Sequence, residues 1–508
     1  MSSSRVLNTK RNIIWSFLEY LIRVLFSFIS NAVIVYYLGV DFLGLSSLFT
    51  SVLQVLNVAE LGFSVAITYY MYKPIAENDT VTVCALLAFY RKVYFVIGIV
   101  VFVAGVLMMP FIPYLIKGDY PQSINIYFLY FLYLSNTAIS YFLFSYKTAL
   151  LNALQRLDLT KLAYCIVSIV QNALQIMAIA IYRNYYLFVG VSIVGTGLKN
   201  VVSAYISRKM FPIYKCEGSL SPQVKQNIAS RVKGLLICNI SGVTYTTFDS
   251  IVLSTFSGLY LVAVYNNYLI VYNGLSNVIA MIRNAMQASV GNSIASESIE
   301  KNYEDVKKWQ FLFSMIAMFC SSCLLCVYQP FMKLWMGEKM LLPFIDVILL
   351  SALFFISTVQ HAYFLYLAGA GLWLEMKWAY LSSTILNIVL NLLLCHFFST
   401  TGIILATLIA TVISGFIWQL IVIFREYFKR SAIKYLLKQL LYFGLAVISA
   451  IVSYFISYKI GIEGFVGIIV NVLICFCTSA FVVLVLFSRT NEFRGCLEIA
   501  GKLFRKKQ

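Results

Sequence analysis

The stretch NIIWSFLEYLIRVLFSFISNAVIVY, residues 12–36, decides the fold class. It is long and apolar enough to span a bilayer, yet it carries Glu19 and Arg23, four residues apart on one helical face. With about 1.5 Å of rise per residue from the flank Lys10–Arg11, the two groups lie roughly 12 and 18 Å along the helix. A lone charge near the bilayer centre costs about 3 kcal/mol on insertion scales. The pair must therefore face protein or a wet cavity rather than lipid. Two readings stay open: a structural pair that neutralises itself, and a pair lining a solute path.

The remaining composition agrees with a membrane solvent. The chain has 508 residues, 61% of them hydrophobic and 11% charged, with mean hydropathy +0.86. A soluble domain rarely exceeds about half apolar. The fold class expected is an all-α polytopic membrane protein. Its first span is too long and too charged for a cleavable leader and is expected to act as the insertion signal. The net charge of +18 raises nucleic acid as a partner, but the basic residues punctuate apolar segments without any base-reading motif, so topology accounts for them.

Fourteen apolar runs reach spanning length, near 12–36, 44–71, 93–116, 123–146, 162–182, 187–207, 234–256, 260–282, 310–332, 343–369, 378–397, 401–424, 439–458 and 464–487. With the N-terminus inside, the inner segments hold 31 of the 38 Lys and Arg residues and the outer ones five, while Arg23 and Lys199 lie within spans. That bias puts both termini in the cytoplasm. The longest inner loops are about 25 residues, too short for a catalytic domain. Gly195-Thr-Gly-Leu-Lys199 lacks Walker A spacing and falls inside a span. No enzyme activity, bound cofactor or metal is expected. Cys320, Cys323 and Cys326 have C-x2-C-x2-C spacing, but no fourth cysteine follows, and inert buried thiols are expected.

Two halves match in order. Gly39-x4-Gly44-Leu45 parallels Gly258-x4-Ala263-Val264 at an offset of 219. Pro110-Phe111 with Gly118 parallels Pro330-Phe331 with Gly337, each pair ending a span. Lys161-x-Ala163-Tyr164 parallels Lys377-x-Ala379-Tyr380 at an offset of 216, which also places Gln171 and Gln175 on Asn387 and Asn391. An even repeat of six helices gives two lobes of the same orientation, pseudo-symmetric about the membrane normal, around a central cavity. The divisions expected are 1–207 for the first lobe, 208–233 for a cytoplasmic linker, 234–424 for the second lobe, and 425–508 for two extra helices and a basic tail.

Lys199 sits about twelve residues into the sixth span, too deep to snorkel easily. Asp249 is as deep in the seventh, with ion coupling and local hydrogen bonding equally open. Glu60 lies toward the inner end of the second span, in a packing or gating position. Arg283 and Asp346 fall near span ends and read as interfacial, and His361 reads as a satisfied core histidine. Of the 36 tyrosines, most belong to interfacial belts, and Tyr265 and Tyr268 are candidates to stack on sugar faces.

At this point several runs resemble one family. Tyr37-Leu38-Gly39-x4-Gly44-Leu45, Ala59-Glu60-Leu61-Gly62-Phe63 and Tyr72-Lys73-Pro74-Ile75-Ala76-Glu77 are similar to Wzx-type polysaccharide transporters of the multidrug/oligosaccharidyl-lipid/polysaccharide exporter superfamily. Leu150 to Arg156 looks like that family's loop between helices 4 and 5. Thr246 to Ser254, with Tyr265-Asn266-Asn267-Tyr268 and Ser289-Val290-Gly291-Asn292, looks like its helix 7–8 region. The resemblance covers about the first 420 residues. It implies a flippase that carries an undecaprenyl-diphosphate-linked oligosaccharide across a bacterial inner membrane for O-antigen, lipopolysaccharide, capsule or exopolysaccharide synthesis. The energy source implied is a proton or sodium gradient used antiporter-fashion in alternating access, one lobe rocking against the other. Arg23 and Lys199 would contact the diphosphate, Glu19 would balance Arg23, and Asp249 or Glu60 would carry coupling. Partners implied are membrane lipids, a polysaccharide polymerase and a chain-length regulator, with no nucleic acid. A multidrug or organic-cation exporter and a peptidoglycan-precursor flippase are the alternatives.

Overall fold

A computed structural model describes residues 2–118 and 120–504. The side chains at 2–10, 13, 58, 59, 61, 62, 65, 231, 233–246, 288 and 499–504 also lie outside the description, so Lys10, Ala59, Leu61, Gly62 and Thr246 of the sequence reading are not placed. The chain divides into two compact units, Met1–Ala263 and Val264–Gln508.

The first unit contains α1 (Ser2–Tyr37), α2 (Val40–Leu56), α3 (Leu61–Ala76), α4 (Thr80–Met108), α5 (Ile126–Phe142), α6 (Tyr146–Ala153), α7 (Leu157–Ala180), α8 (Tyr185–Met210) and α9 (Pro222–Ser257). Helix α10 (Leu259–Ser296) begins in this unit and runs into the second. The second unit continues with α11 (Ile299–Met336), α12 (Phe344–Gly369), α13 (Lys377–Ala410), α14 (Trp418–Glu426), α15 (Ile433–Ile460), α16 (Gly464–Phe487) and α17 (Asn491–Phe504). No strand occurs among the described residues.

Each expected span coincides with a helix or with a pair of helical segments. Nine helices among the described residues are long and apolar enough to cross a membrane, or ten when the pair α5 and α6, bent by 51°, is taken as one. Fourteen spans are compatible with this, because helical breaks interrupt some runs and a continuous helix joins others. The second run is split by a 3-10 turn at Asn57–Glu60 between α2 and α3. The eleventh and twelfth runs share α13, whose backbone breaks at Ser399 (φ 52°, ψ −124°) and then passes through a π-helical turn at Thr411–Ile417. The set Pro330-Phe331 with Gly337 closes its helix as expected, α11 running past Pro330 to Met336 with Gly337 as its cap. The stretch from Leu150 is not a loop either, since Leu150 and Leu151 are buried in α6.

Packing within each unit follows membrane rather than aqueous patterning. In α4, Leu86, Leu87, Tyr90, Tyr94, Ile97 and Val101 are buried, while Phe95, Val96, Ile99, Val100 and Val103 stay exposed on the opposite side. Apolar side chains on all faces suit a helix between protein and hydrocarbon. In α16 the pattern is inverted: Gly467, Asn471, Cys475 and Ser479, spaced by four, face inward, and the large apolar residues point out. Small residues let α15 and α16 approach closely, and the Ser449 and Ser479 hydroxyls meet at 3.2 Å while Ser453 and Thr478 meet at 2.6 Å.

In the first unit α1 packs on α7, α7 on α8, α8 on α5, and α2 and α3 on α9. The sequence reading divides the lobes at 208–233; the compact units divide later, at 263/264, with α9 inside the first. In the second unit α11 is the hub, touching α12, α15, α16 and α17.

Candidate functional site

Helices α1, α7 and α8 place four charged side chains in one unit. The α7 stripe Lys161, Tyr164, Ser168, Gln171 and Gln175 recurs at three- and four-residue spacing, so it forms one polar face on an otherwise apolar helix. Lys161 Nζ lies 3.1 Å from Glu19 Oε2 of α1, and both side chains are largely shielded, at 28% and 18% exposure. Nearly three turns further along the stripe, Lys199 of α8 donates to Gln171 Oε1 at 3.2 Å. Gln171 donates to Gln175 at 3.4 Å, and Gln175 donates to Ser192 Oγ at 2.7 Å and to the Phe188 carbonyl at 3.1 Å. Gly195 makes room for this chain, because a Cβ there would stand 2.2 Å from Gln171 Oε1.

Arg23 does not close a pair with Glu19. Its guanidinium lies over the Tyr20 ring, 5.4 Å from the centroid, and the side chain is exposed on α1. Glu19 instead balances Lys161, a residue that the sequence reading left out of the site. The signal was present: Lys161 heads the polar stripe of α7 and stands at a repeated position opposite Lys377. Lys161 and Lys199 thus stand along one polar face of α7 with the carboxylate of Glu19 at its head, while Arg23 stays exposed one turn along α1 from Glu19.

The other expected residues fall elsewhere. Half-buried Glu60 sits at the break between α2 and α3, where it accepts from Tyr94 of α4 and, at 2.9 Å, from Tyr141 of α5. Tyr141 also lies 2.8 Å from Asn57 Oδ1. These bonds pin the broken helix to its neighbours. Asp249 of α9 is buried and engaged in polar contact.

Tyr265 and Tyr268 are buried in the second unit. The Tyr268 hydroxyl donates to Gln329 at 3.2 Å and accepts from the Leu342 amide at 3.2 Å, and its ring packs on Tyr328. Neither tyrosine presents a ring face for stacking in this structure. Asp346, read as interfacial, is fully buried and accepts from Thr400 at 2.6 Å and from Thr401, just past the Ser399 break. Arg283 is drawn inward to His361 Nδ1 at 3.2 Å and lies over the Phe364 ring. The cysteine run gains a neighbour that spacing does not show, since Cys475 of α16 is buried against α11, which carries Cys323 and Cys326. Among the described residues no three His, Cys, Asp or Glu side chains group as metal ligands.

No protein-family model matches the chain, and no curated protein does. Solved structures match over most of its length. The lipid II flippase MurJ in an inward closed conformation aligns with TM-score 0.67 at 14% identity, covering 94% of this chain and 99% of its own. An inward-facing multidrug resistance MATE family transporter of the MOP superfamily aligns with TM-score 0.63 at 15% identity, covering 80% and 97%. The eukaryotic MATE transporter AtDTX14 aligns with TM-score 0.61 at 13% identity, covering 85% and 98%. At such identities the likeness is one of fold: this multi-pass membrane protein has the fold of MOP-superfamily transporters.

Proposed function

We propose that the chain is a flippase for a lipid-linked oligosaccharide carried on undecaprenyl diphosphate, working across the bacterial inner membrane in surface-polysaccharide synthesis. The observation that carries the reading is the excess of positive charge along one polar face, Lys161 and Lys199 with the carboxylate of Glu19, and Arg23 one turn along α1. Its formal charge of +2 matches a diphosphate diester of charge −2. Within apolar helices such opposite charges attract strongly, and charge-assisted hydrogen bonds from Lys and Arg are the strong class. A drug exporter for organic cations needs the opposite sign. The likeness to MurJ over 94% of the chain, against 80–85% for the MATE transporters, supports a lipid-linked substrate. Asp249 and Glu60 remain the acids proposed for coupling to a proton or sodium gradient by alternating access. A polymerase and a chain-length regulator are the proposed partners, and no catalytic step belongs to this chain.

The test is deletion of the gene with analysis of lipid extracts, complemented by Arg23→Ala, Lys161→Ala and Lys199→Ala. Complete repeat units held on the inner leaflet, with flipping lowered at least tenfold in two of the three variants at normal expression, are expected. Normal surface polysaccharide with raised sensitivity to cationic drugs sinks the reading in favour of export. Loss of peptidoglycan precursor on the outer leaflet transfers it to that substrate.

A further inference from the structure

A second cationic cavity lies in the first unit, apart from the α1–α7–α8 cluster. It encloses about 450 Å³ between α4, α6, the end of α8 and the segment that follows. Arg91, Lys147, Arg208 and Lys215 line it, with Tyr146 and Cys216, and no carboxylate does. Among the described residues none of these four cations forms a salt bridge. Lys147 is the informative one. It is only 4% exposed, and its ammonium donates to a single neutral acceptor, the Tyr214 carbonyl, at 3.1 Å. An ammonium has three donors, and a buried cation without a counter-charge is costly. Beyond that carbonyl Lys147 has, among the described residues, only the Tyr146 ring, 5.8 Å away, so an anion in the cavity would supply the missing counter-charge.

Its shape says more about that anion. Arg91, Tyr146 and Cys216 also line a neighbouring cavity of about 770 Å³, to which Lys92 adds a fifth cation. The far wall of that cavity is Phe95, Val96 and Phe142, all exposed on the outer faces of α4 and α5. A charged head pocket thus continues onto an apolar outer wall. The five cations come from segments that the Lys and Arg distribution assigns to the cytoplasmic side. Basic pockets at that membrane face are suited to lipid phosphates.

We propose that this pocket binds the phosphate head of an anionic lipid, with the hydrocarbon chain lying along Phe95, Val96 and Phe142. The assignment stands independently of what the chain transports. Two sources share the chemistry, a bilayer phospholipid and a polyprenyl diphosphate.

The test is native mass spectrometry of the full chain released from detergent. Wild type is compared with Arg91→Gln/Arg208→Gln/Lys215→Gln, three exposed positions, leaving buried Lys147 intact so that folding is kept. The probes are phosphatidylglycerol, undecaprenyl diphosphate, zwitterionic phosphatidylcholine and inorganic pyrophosphate. The expected result is at least a tenfold weakening of the first anionic-lipid adduct in the variant, with phosphatidylcholine unchanged. Weakening for both anionic lipids assigns the pocket to bilayer lipid, and weakening for undecaprenyl diphosphate alone assigns it to that head group. Equal adducts in wild type and variant overturn the proposal. Pyrophosphate binding as tightly as the lipids overturns it too, because the apolar wall would then contribute nothing.

Discussion

Lys161 and Glu19 hold each other 3.1 Å apart between two helices, and each makes the other's burial tolerable. Removing one partner strands the other. An exposed pair is worth under about 1 kcal/mol and breaking a fully buried one costs roughly 3–5, so at this intermediate exposure Lys161→Gln or Glu19→Gln should cost about 1–3 kcal/mol. The double variant should recover part of that loss. Thermal unfolding of the four-member cycle in detergent measures the coupling, which should exceed that of Glu19 with Arg23. Gly195→Ala makes a different prediction. The added methyl displaces the flexible Gln171 side chain rather than backbone, so unfolding should barely change while Lys199 loses its acceptor and substrate affinity falls several-fold. At this scale hydropathy marked Glu19, Lys199 and Asp249 as charges within apolar runs, but read Asp346 as interfacial although it is fully buried. It did not expose their partners. The four-residue spacing of Glu19 and Arg23 is visible along one helix, whereas the contact of Glu19 with Lys161 exists only once α1 has packed on α7.

Among the elements, the repeat seen in the sequence reappears as local backbone geometry. Gly39 opens α2 at φ 107°, ψ 168°, and Gly258 precedes α10 at φ 88°, ψ 172°. That region is open essentially to glycine alone. The side-chain pairs repeat as well: Gln171 bonds Gln175, and Asn391 bonds Asn387 at 3.2 Å. At Gly39 an added Cβ would meet nothing within 4 Å, so Gly39→Ala isolates the backbone term. It should cost about 1–3 kcal/mol, read as a lowered melting temperature with the helix content of the folded state unchanged. At Gly44 the obstacle is steric, a Cβ 2.3 Å from the Leu259 carbonyl oxygen, and Gly44→Val should abolish folded yield on size-exclusion chromatography. The break at Ser399 falls in the gap expected between the runs 378–397 and 401–424, whereas the one at Asn57–Glu60, inside the run 44–71, was not legible. The short turn Asn57-Val58-Ala59-Glu60 holds no glycine or proline to announce it.

For the molecule as a whole, hydropathy carried the fold class and the placing of spans, since a chain 61% apolar has few solutions outside a bilayer. A substrate was not legible in the same way, because one is recognised by side chains that converge from several helices. One consequence of the unequal charges on α1, α7 and α8 concerns energy supply. Each elementary charge that crosses the full membrane potential exchanges about 2.3 kcal/mol per 100 mV. If the cluster moves relative to that field, an empty carrier presents two unmatched positive charges to it, while one loaded with a diphosphate presents none. A negative-inside voltage would then leave the loaded step untouched and pull the vacant cluster back toward the cytoplasm. Collapsing the potential with a potassium ionophore in proteoliposomes should therefore slow multiple turnover while sparing the first. The membrane battery would drive the reset rather than the delivery.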